Sequence, residues 1–115
     1  MENVVNSDKM KIKYALIEAA EDPGTSPETL DEIAKYQDSD VKVAVAKNPN
    51  TSPETLDWLA KNQDSDSNVK LAVAENHKTP LQTLQELKDK DKDPKVREAA
   101  TKTYHEVLTE NIRYT

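Results

Sequence analysis

The sequence predicts an all-α fold, an α-solenoid of about three two-helix repeats of 26–28 residues with N- and C-terminal capping helices. Three observations carry this reading. First, Thr25-Ser26-Pro27-Glu28-Thr29-Leu30-Asp31 recurs as Thr51-Ser52-Pro53-Glu54-Thr55-Leu56-Asp57. It returns more loosely as Thr79-Pro80-Leu81-Gln82-Thr83-Leu84-Gln85, so the threonines stand 26 and 28 residues apart. Second, Val41-Lys42-Val43-Ala44-Val45-Ala46 returns as Val69-Lys70-Leu71-Ala72-Val73-Ala74 and as Val96-Arg97-Glu98-Ala99-Ala100-Thr101, with valines 28 and 27 apart. Third, Leu30, Ile33 and Ala34, like Leu56, Leu59 and Ala60, fall on one face of a helix. A fixed period of this length marks stacked supersecondary units.

Each element follows in chain order. Residues 8–22, with Met10, Ile12, Tyr14, Leu16 and Ile17, form an N-terminal cap helix, and residues 1–7 are expected to be flexible. The repeats span residues 25–48, 51–76 and 79–101. The first helix of each is expected to open on a capping box, because Thr25, Thr51 and Thr79 stand three residues before Glu28, Glu54 and Gln82. Pro27, Pro53 and Pro80 fit the first turn, where a missing N–H costs nothing. The second helix follows an Asp/Ser cluster that supplies an N-cap: Asp38-Ser39-Asp40, Asp64-Ser65-Asp66, or Asp93 before Pro94. It is apolar nearly all round and is therefore the inner helix. Gly24 and Asn50 share a repeat position and suggest a left-handed turn residue there. Ser67-Asn68 is an insertion in a loop. The last helix runs from Pro94 through Tyr104, Val107 and Leu108 towards Ile112, with residues 102–115 as a C-terminal cap extension.

Composition poses an objection to any fold. Leu, Ile, Val and Phe make up about 19 % of 115 residues, with a net charge of −6, and values below roughly 20 % are typical of disordered chains. Stacking answers it. A lone repeat buries too few apolar side chains to offset about 1–2 kcal/mol of backbone entropy per residue, whereas neighbours build a continuous core. The absence of cysteine removes disulfides, thiolate nucleophiles and thiolate metal sites. No apolar run reaches the ~18 residues of a membrane span, and residues 1–14 lack a signal peptide's apolar core. A cytoplasmic location is expected.

The block Pro49-Asn50-Thr51-Ser52-Pro53-Glu54-Thr55-Leu56, with Val-Lys-Val-Ala-Val-Ala-Lys-Asn-Pro at residues 41–49, resembles the leucine-rich repeat variant family. The resemblance covers residues from about 20 to 101. It implies a right-handed solenoid of short paired helices, close in kind to HEAT and armadillo repeats, and a binding scaffold with no catalytic residues to transfer. The spacing of 26–28 is longer than is usual in that family, which leaves room for a full α-helix in place of the shorter 3₁₀ element. The iron–sulfur module of the family's best-known member needs cysteines, which this chain lacks, so no cofactor is implied.

Candidate chemistry is sparse. No nucleophile–base pair, phosphate-cradling glycine loop or acid–base carboxylate pair stands out, so catalytic, cofactor-binding and metal residues are all read as none. A calcium loop at residues 64–75 fails because Val69 occupies the place of the required glycine. His77 replaces Pro49 in a turn and is expected to be solvated. The informative residues are those that break the repeat. Trp58 stands where the other repeats carry Glu32 and Glu86, and Tyr36 stands opposite Asn62. An aromatic at a solvent-facing position of a rigid element suits a binding anchor, and Trp58→Ala is expected to leave stability nearly unchanged. Lys42, Lys70 and Arg97 form a second candidate set, a ladder near the starts of the inner helices that an acidic partner would meet. The reading is therefore a protein–protein interaction scaffold, a monomer whose ends leave room for end-to-end self-association, with no nucleic acid and no membrane as partner. An acidic inhibitor or nucleic-acid mimic is the alternative, carried by Glu28, Asp31, Glu32, Glu54, Asp57 and Glu86 on the outer faces.

Overall fold

The fold is seen in a computed structural model that describes the backbone of residues 2–113 and the side chains of residues 8–112. Among the described residues it has seven helices and no strand: α1 (Glu2–Glu21), α2 (Pro27–Ala34), α3 (Ser39–Lys47), α4 (Pro53–Lys61), α5 (Ser67–Glu75), α6 (Leu81–Lys90) and α7 (Pro94–Arg113). Helix α1 begins ahead of the start expected at residue 8. Nothing between residues 2 and 21 interrupts it, because the first proline and glycine are Pro23 and Gly24. Residues 1–7 were expected to be flexible; the backbone from Glu2 belongs to α1, while residue 1 and the side chains of residues 2–7 lie outside the described residues.

The helices form two layers. Helices α1, α3, α5 and α7 pack successively on one another, and α2, α4 and α6 do the same beside them; α2, α4 and α6 each pack on the helix that follows. The radius of gyration is 15.3 Å, against about 13 Å for a compact domain of this length. The extents of 58 × 31 × 16 Å describe an elongated body two helices thick. All of α2, α4 and α6 are α-helical, as the long repeat allows.

Repeat-equivalent residues make the core. Leu30, Leu56 and Leu84 are fully buried, as are Val41, Val69 and Val96. Ala20, Ala46 and Ala74 are buried at matching places, and Ala100 is buried where the other repeats carry Val45 and Val73; such small residues let the inner helices approach closely. This is how a chain with few large aliphatics still closes a core.

Two local expectations are corrected. The N-caps of α2 and α4 are Ser26 and Ser52, which accept from the Thr29 and Thr55 N–H groups. Proline is the reason: Pro27 and Pro53 force the preceding residue into extended backbone (ψ 153° at both), so the serine must be the cap. The threonines turn the other way. Thr25, Thr51 and Thr79 donate their hydroxyls to the carbonyls of Ala19, Val45 and Val73 at 2.6–2.7 Å. In α6 the proline itself, Pro80, occupies the cap position, and no side chain caps the helix. The second correction concerns the turn at Gly24 and Asn50. Among the described residues no φ is positive. The turn is built by side chains: Asp22, Asn48 and Asn76 accept from the N–H two residues on, at Gly24, Asn50 and Lys78, each at 2.8 Å. By contrast, Asp38 and Asp66 cap α3 and α5 as expected.

Neighbouring units are laced together by a polar ladder. Asn48 donates its amide to the carbonyls of Ala20 and Asp22 at 2.8 and 2.9 Å, and Asn76 repeats this to Ala46 at 2.8 Å. In the other layer Thr55 donates to Asp31 at 2.9 Å and Thr83 to Asp57 at 2.6 Å. Burial works against the charge on Asp57, but the Thr83 hydroxyl and Lys61 outweigh it and hold the carboxyl below its usual range. Ser39 donates to Asp66 at 2.6 Å, and this bond leads the groups that hold Asp66 down.

The terminal helices are longer than the rest. Lys13 pairs with Asp38 and Asp40 at 3.2 and 2.9 Å, which ties α1 to the start of α3. Helix α7 overhangs at the opposite end, where His77 in the α5–α6 turn meets it.

Candidate functional site

Trp58 lies on α4 and is 42 % exposed, and the equivalent positions carry Glu32 and Glu86. Its ring is not free-standing. The Lys42 ammonium sits over it, 5.0 Å from the ring centroid. Lys42 itself is only 2 % exposed, and its Nζ donates to the carbonyl of Ala34, the last residue of α2, at 2.5 Å. The indole therefore closes the outer side of a buried cation. Burial pushes the Lys42 ammonium below its ordinary value of 10.5, partly offset by the Asp64 carboxylate.

This placement changes the lysine ladder. Lys42 lies inside the protein, away from the surface where the ladder was expected to meet a partner. Arg97 behaves similarly: its Nη1 donates to the carbonyls of Asp91 and Lys92 at 2.6 and 3.1 Å, at the end of α6. A cation near the start of an inner helix opposes that helix's dipole. It reaches back instead to the negative end of the preceding helix, where positive charge is favoured. Lys70 is the third member; it is half-buried and bonds no helix end. The structure thus separates the three residues instead of joining them into one face.

Tyr36 follows α2 in a turn, its N–H bonded to Ile33 at 3.0 Å, and packs half-buried against the core. It is less available than Trp58. The acids of the outer faces are partly tied up: Lys35 meets Asp31 and Glu32 at 3.6 and 3.4 Å, and Lys61 meets Asp57 at 3.1 Å. His77 is exposed, as expected, and makes a contact that was not. It is held between Glu106 (Nε2, 3.3 Å) and Glu110 (Nδ1, 3.2 Å), one turn apart on α7. Sequence reasoning missed this contact, and missed the asparagines. The only available signal for Asn48 and Asn76 was their spacing of 28, which matches that of the valines.

A buried lysine with a lowered pKa has a measurable consequence. Between its depressed folded value and 10.5, the unfolded chain binds the proton that the folded chain has lost, so this group's contribution to stability rises with pH. Wild type is therefore expected to gain stability relative to Lys42→Met as pH rises through that window. Parallel urea melts of the two chains at stepped pH check it; a constant difference would show that Lys42 is not desolvated.

Stacked helix pairs joined by repeated side-chain ladders define an all-helical repeat scaffold. The chain belongs to the leucine-rich repeat variant family: the Leucine Rich Repeat Variant domain matches residues 15–77, just over half of the chain. That stretch runs from the second half of α1 through α5. No curated protein matches the chain. No solved structure matches it. Among the described residues no helix is long and apolar enough to cross a membrane. Repeat domains of this kind commonly serve as scaffolds for protein interaction.

Proposed function

We propose that the chain is a non-catalytic, right-handed solenoid of three two-helix repeats, α2–α3, α4–α5 and α6–α7, akin to HEAT and armadillo arrays, that binds a protein partner. Helix α1 and the second half of α7 act as its caps. Trp58 is the anchor. The supporting observation is a large aromatic, 42 % exposed, on a helix held from both sides in the outer layer, at a position where the other repeats carry glutamate. An indole on a rigid element binds at little entropic cost. The Lys42 ammonium lies against its inner face and holds the ring in place. Tyr36, being half-buried, contributes at the margin of this surface.

The test is capture of partners from native extract by wild type and by Trp58→Ala, at low and moderate salt. Removing the ring loses the contact with Lys42, which costs about 1 kcal/mol and leaves the variant folded, as circular dichroism will verify. A protein retained at moderate salt by wild type and lost with Trp58→Ala is the expected result. Capture of a basic protein that collapses at moderate salt, indifferent to Trp58, would replace this reading with that of an acidic mimic. Retention unaffected by either change would remove Trp58 from the site.

A further inference from the structure

Helices α2, α4 and α6 pack on one side of the layer formed by α1, α3, α5 and α7. On its other side Asp40, Lys47, Asn68 and Glu75 are exposed. The two layers together are 16 Å deep, so this open side is one broad face of a slab 58 × 31 Å across. Equivalent positions on α1, α3, α5 and α7 stand 26, 28 and 27 residues apart and form rows across the face. Asn48 and Asn76 make the same bond to the equivalent carbonyls of Ala20 and Ala46, which fixes that register from α1 to α5. One row is apolar over most of its length: Ile17, Val43 and Leu71 are half-buried against the core, and Glu98 ends it. The row one turn further along the helices is Glu21, Lys47, Glu75 and Lys102, all exposed. None of these four makes an ion pair among the described residues.

The charges alternate along that row: negative, positive, negative, positive. Read from the opposite end, every sign is inverted. A second copy laid face to face, about a two-fold axis that runs between α3 and α5 and along them, therefore meets each charge with its opposite. Lys47 faces Glu75 of the second copy, Glu21 faces Lys102 of the second copy, and symmetry makes each contact twice. The same operation sets Val43 against Leu71 of the second copy at the centre. It also brings Tyr14, 58 % exposed, to Lys95 of the second copy, an ammonium against an aromatic ring. The remaining charges of the face do not oppose this arrangement. Asp40 is already paired with Lys13 at 2.9 Å. Glu98 lies between Lys95 and Lys102 on its own helix, and Glu18 comes opposite Ala99 of the second copy, between the same two lysines.

We propose that this face is an isologous interface between two copies of the chain, with Val43 and Leu71 at its centre and the Lys47–Glu75 pairs beside them. The slab has room there for the about 800 Å² that each partner of a standard interface contributes. Trp58 lies on α4 in the other layer, so the inference does not depend on its being a partner anchor. Sedimentation velocity on the full chain, from about 10 μM to about 1 mM, tests it, and a reversible dimer of micromolar Kd is expected. Lys47→Glu and Glu75→Lys each set like charges opposite one another twice and should weaken the dimer at least about tenfold. An equimolar mixture of the two variants should regain affinity to within about threefold of wild type, because each copy then meets the opposite charge in the other. Asp89→Lys, the same change of charge on α6 in the other layer, leaves the dimer unchanged. Circular dichroism melts establish that each variant is folded. A wild-type chain that stays monomeric at about 1 mM, single variants that dimerise like wild type, or a mixture no tighter than either variant alone would overturn the interface.

Discussion

Asn48→Asp is expected to destabilise the protein by about 4 kcal/mol or more, with α1 the first element to open. The side chain is 3 % exposed and does three things. Its amide donates to the carbonyls of Ala20 and Asp22, and its Oδ1 accepts from Asn50 N–H at 2.8 Å. Aspartate keeps the last bond and loses both donors. It also sets a buried negative oxygen against two carbonyl oxygens, adding repulsion to about 1–3 kcal/mol for each group left unsatisfied. Asn48→Ala should cost less, about 2–4 kcal/mol, since it removes the bonds without adding charge. Asn76→Ala should cost less still, because its amide reaches one carbonyl of the preceding unit, Ala46. In a stacked array each unit touches only its neighbours, so damage at Asn48 should appear as faster amide exchange in α1 before α5 or α7. A change under 1 kcal/mol in denaturant melts would show that packing alone holds α1 in place.

Leu56→Ala is expected to cost about 2–5 kcal/mol, the range for a buried leucine that leaves a cavity. Leu56 is fully buried on α4, in the middle of the outer layer, where both neighbours limit relaxation into the space left behind. In a domain of this size that is a fall in Tm of about 10–20 °C, readable by calorimetry. Trp58→Ala, on the same helix two residues away, should shift Tm far less despite removing more atoms. A Leu56→Ala chain that melts with wild type would mean that α4 is not part of the cooperative core.

The two variants differ in how visible their basis is in the sequence. Leu56 announces itself: it repeats with Leu30 and Leu84, and it sits at helical spacing from Leu59. Asn48 repeats only as Asn76, and that spacing does not reveal its bonds, because its partners at Ala20 and Asp22 are backbone carbonyls in a different unit. The capping box failed for an intermediate reason. The threonine-to-glutamate spacing was real, but the intervening proline constrained the serine before it and released the threonine hydroxyl to a carbonyl six residues back. The turn at Gly24 was misread because glycine and asparagine share tolerance of positive φ, while asparagine and aspartate also share a side-chain oxygen that folds a turn without it. The oxygen of Asp22, Asn48 and Asn76 decided the geometry.

The candidate site divides the same way. Trp58 was legible as a departure from a charged repeat position, and it is indeed part-exposed. Its contact with Lys42 was not legible. A lysine side chain spans several ångströms on rotatable bonds, so its amine can point to water, to a nearby acid or to a helix end with no change in sequence pattern. Lys42, Lys70 and Arg97 occupy one repeat position and meet two fates: Lys42 and Arg97 reach the carbonyls at the end of the preceding helix, and Lys70, beside a cleft that Glu86 lines, does not. His77 found Glu106 and Glu110 only because α7 runs on past α5.

Helix pairing, the order of the layers, the apolar core and the aspartate caps of the inner helices were all present in the linear text, because each depends on residues a few positions apart or on a period repeated along the chain. Long side chains, inter-unit bonds across 24–33 residues and the exposure of any one surface group depend on how far one unit is offset from the next. That offset is a property of helices packed through the shared core, and only the folded stack decides it.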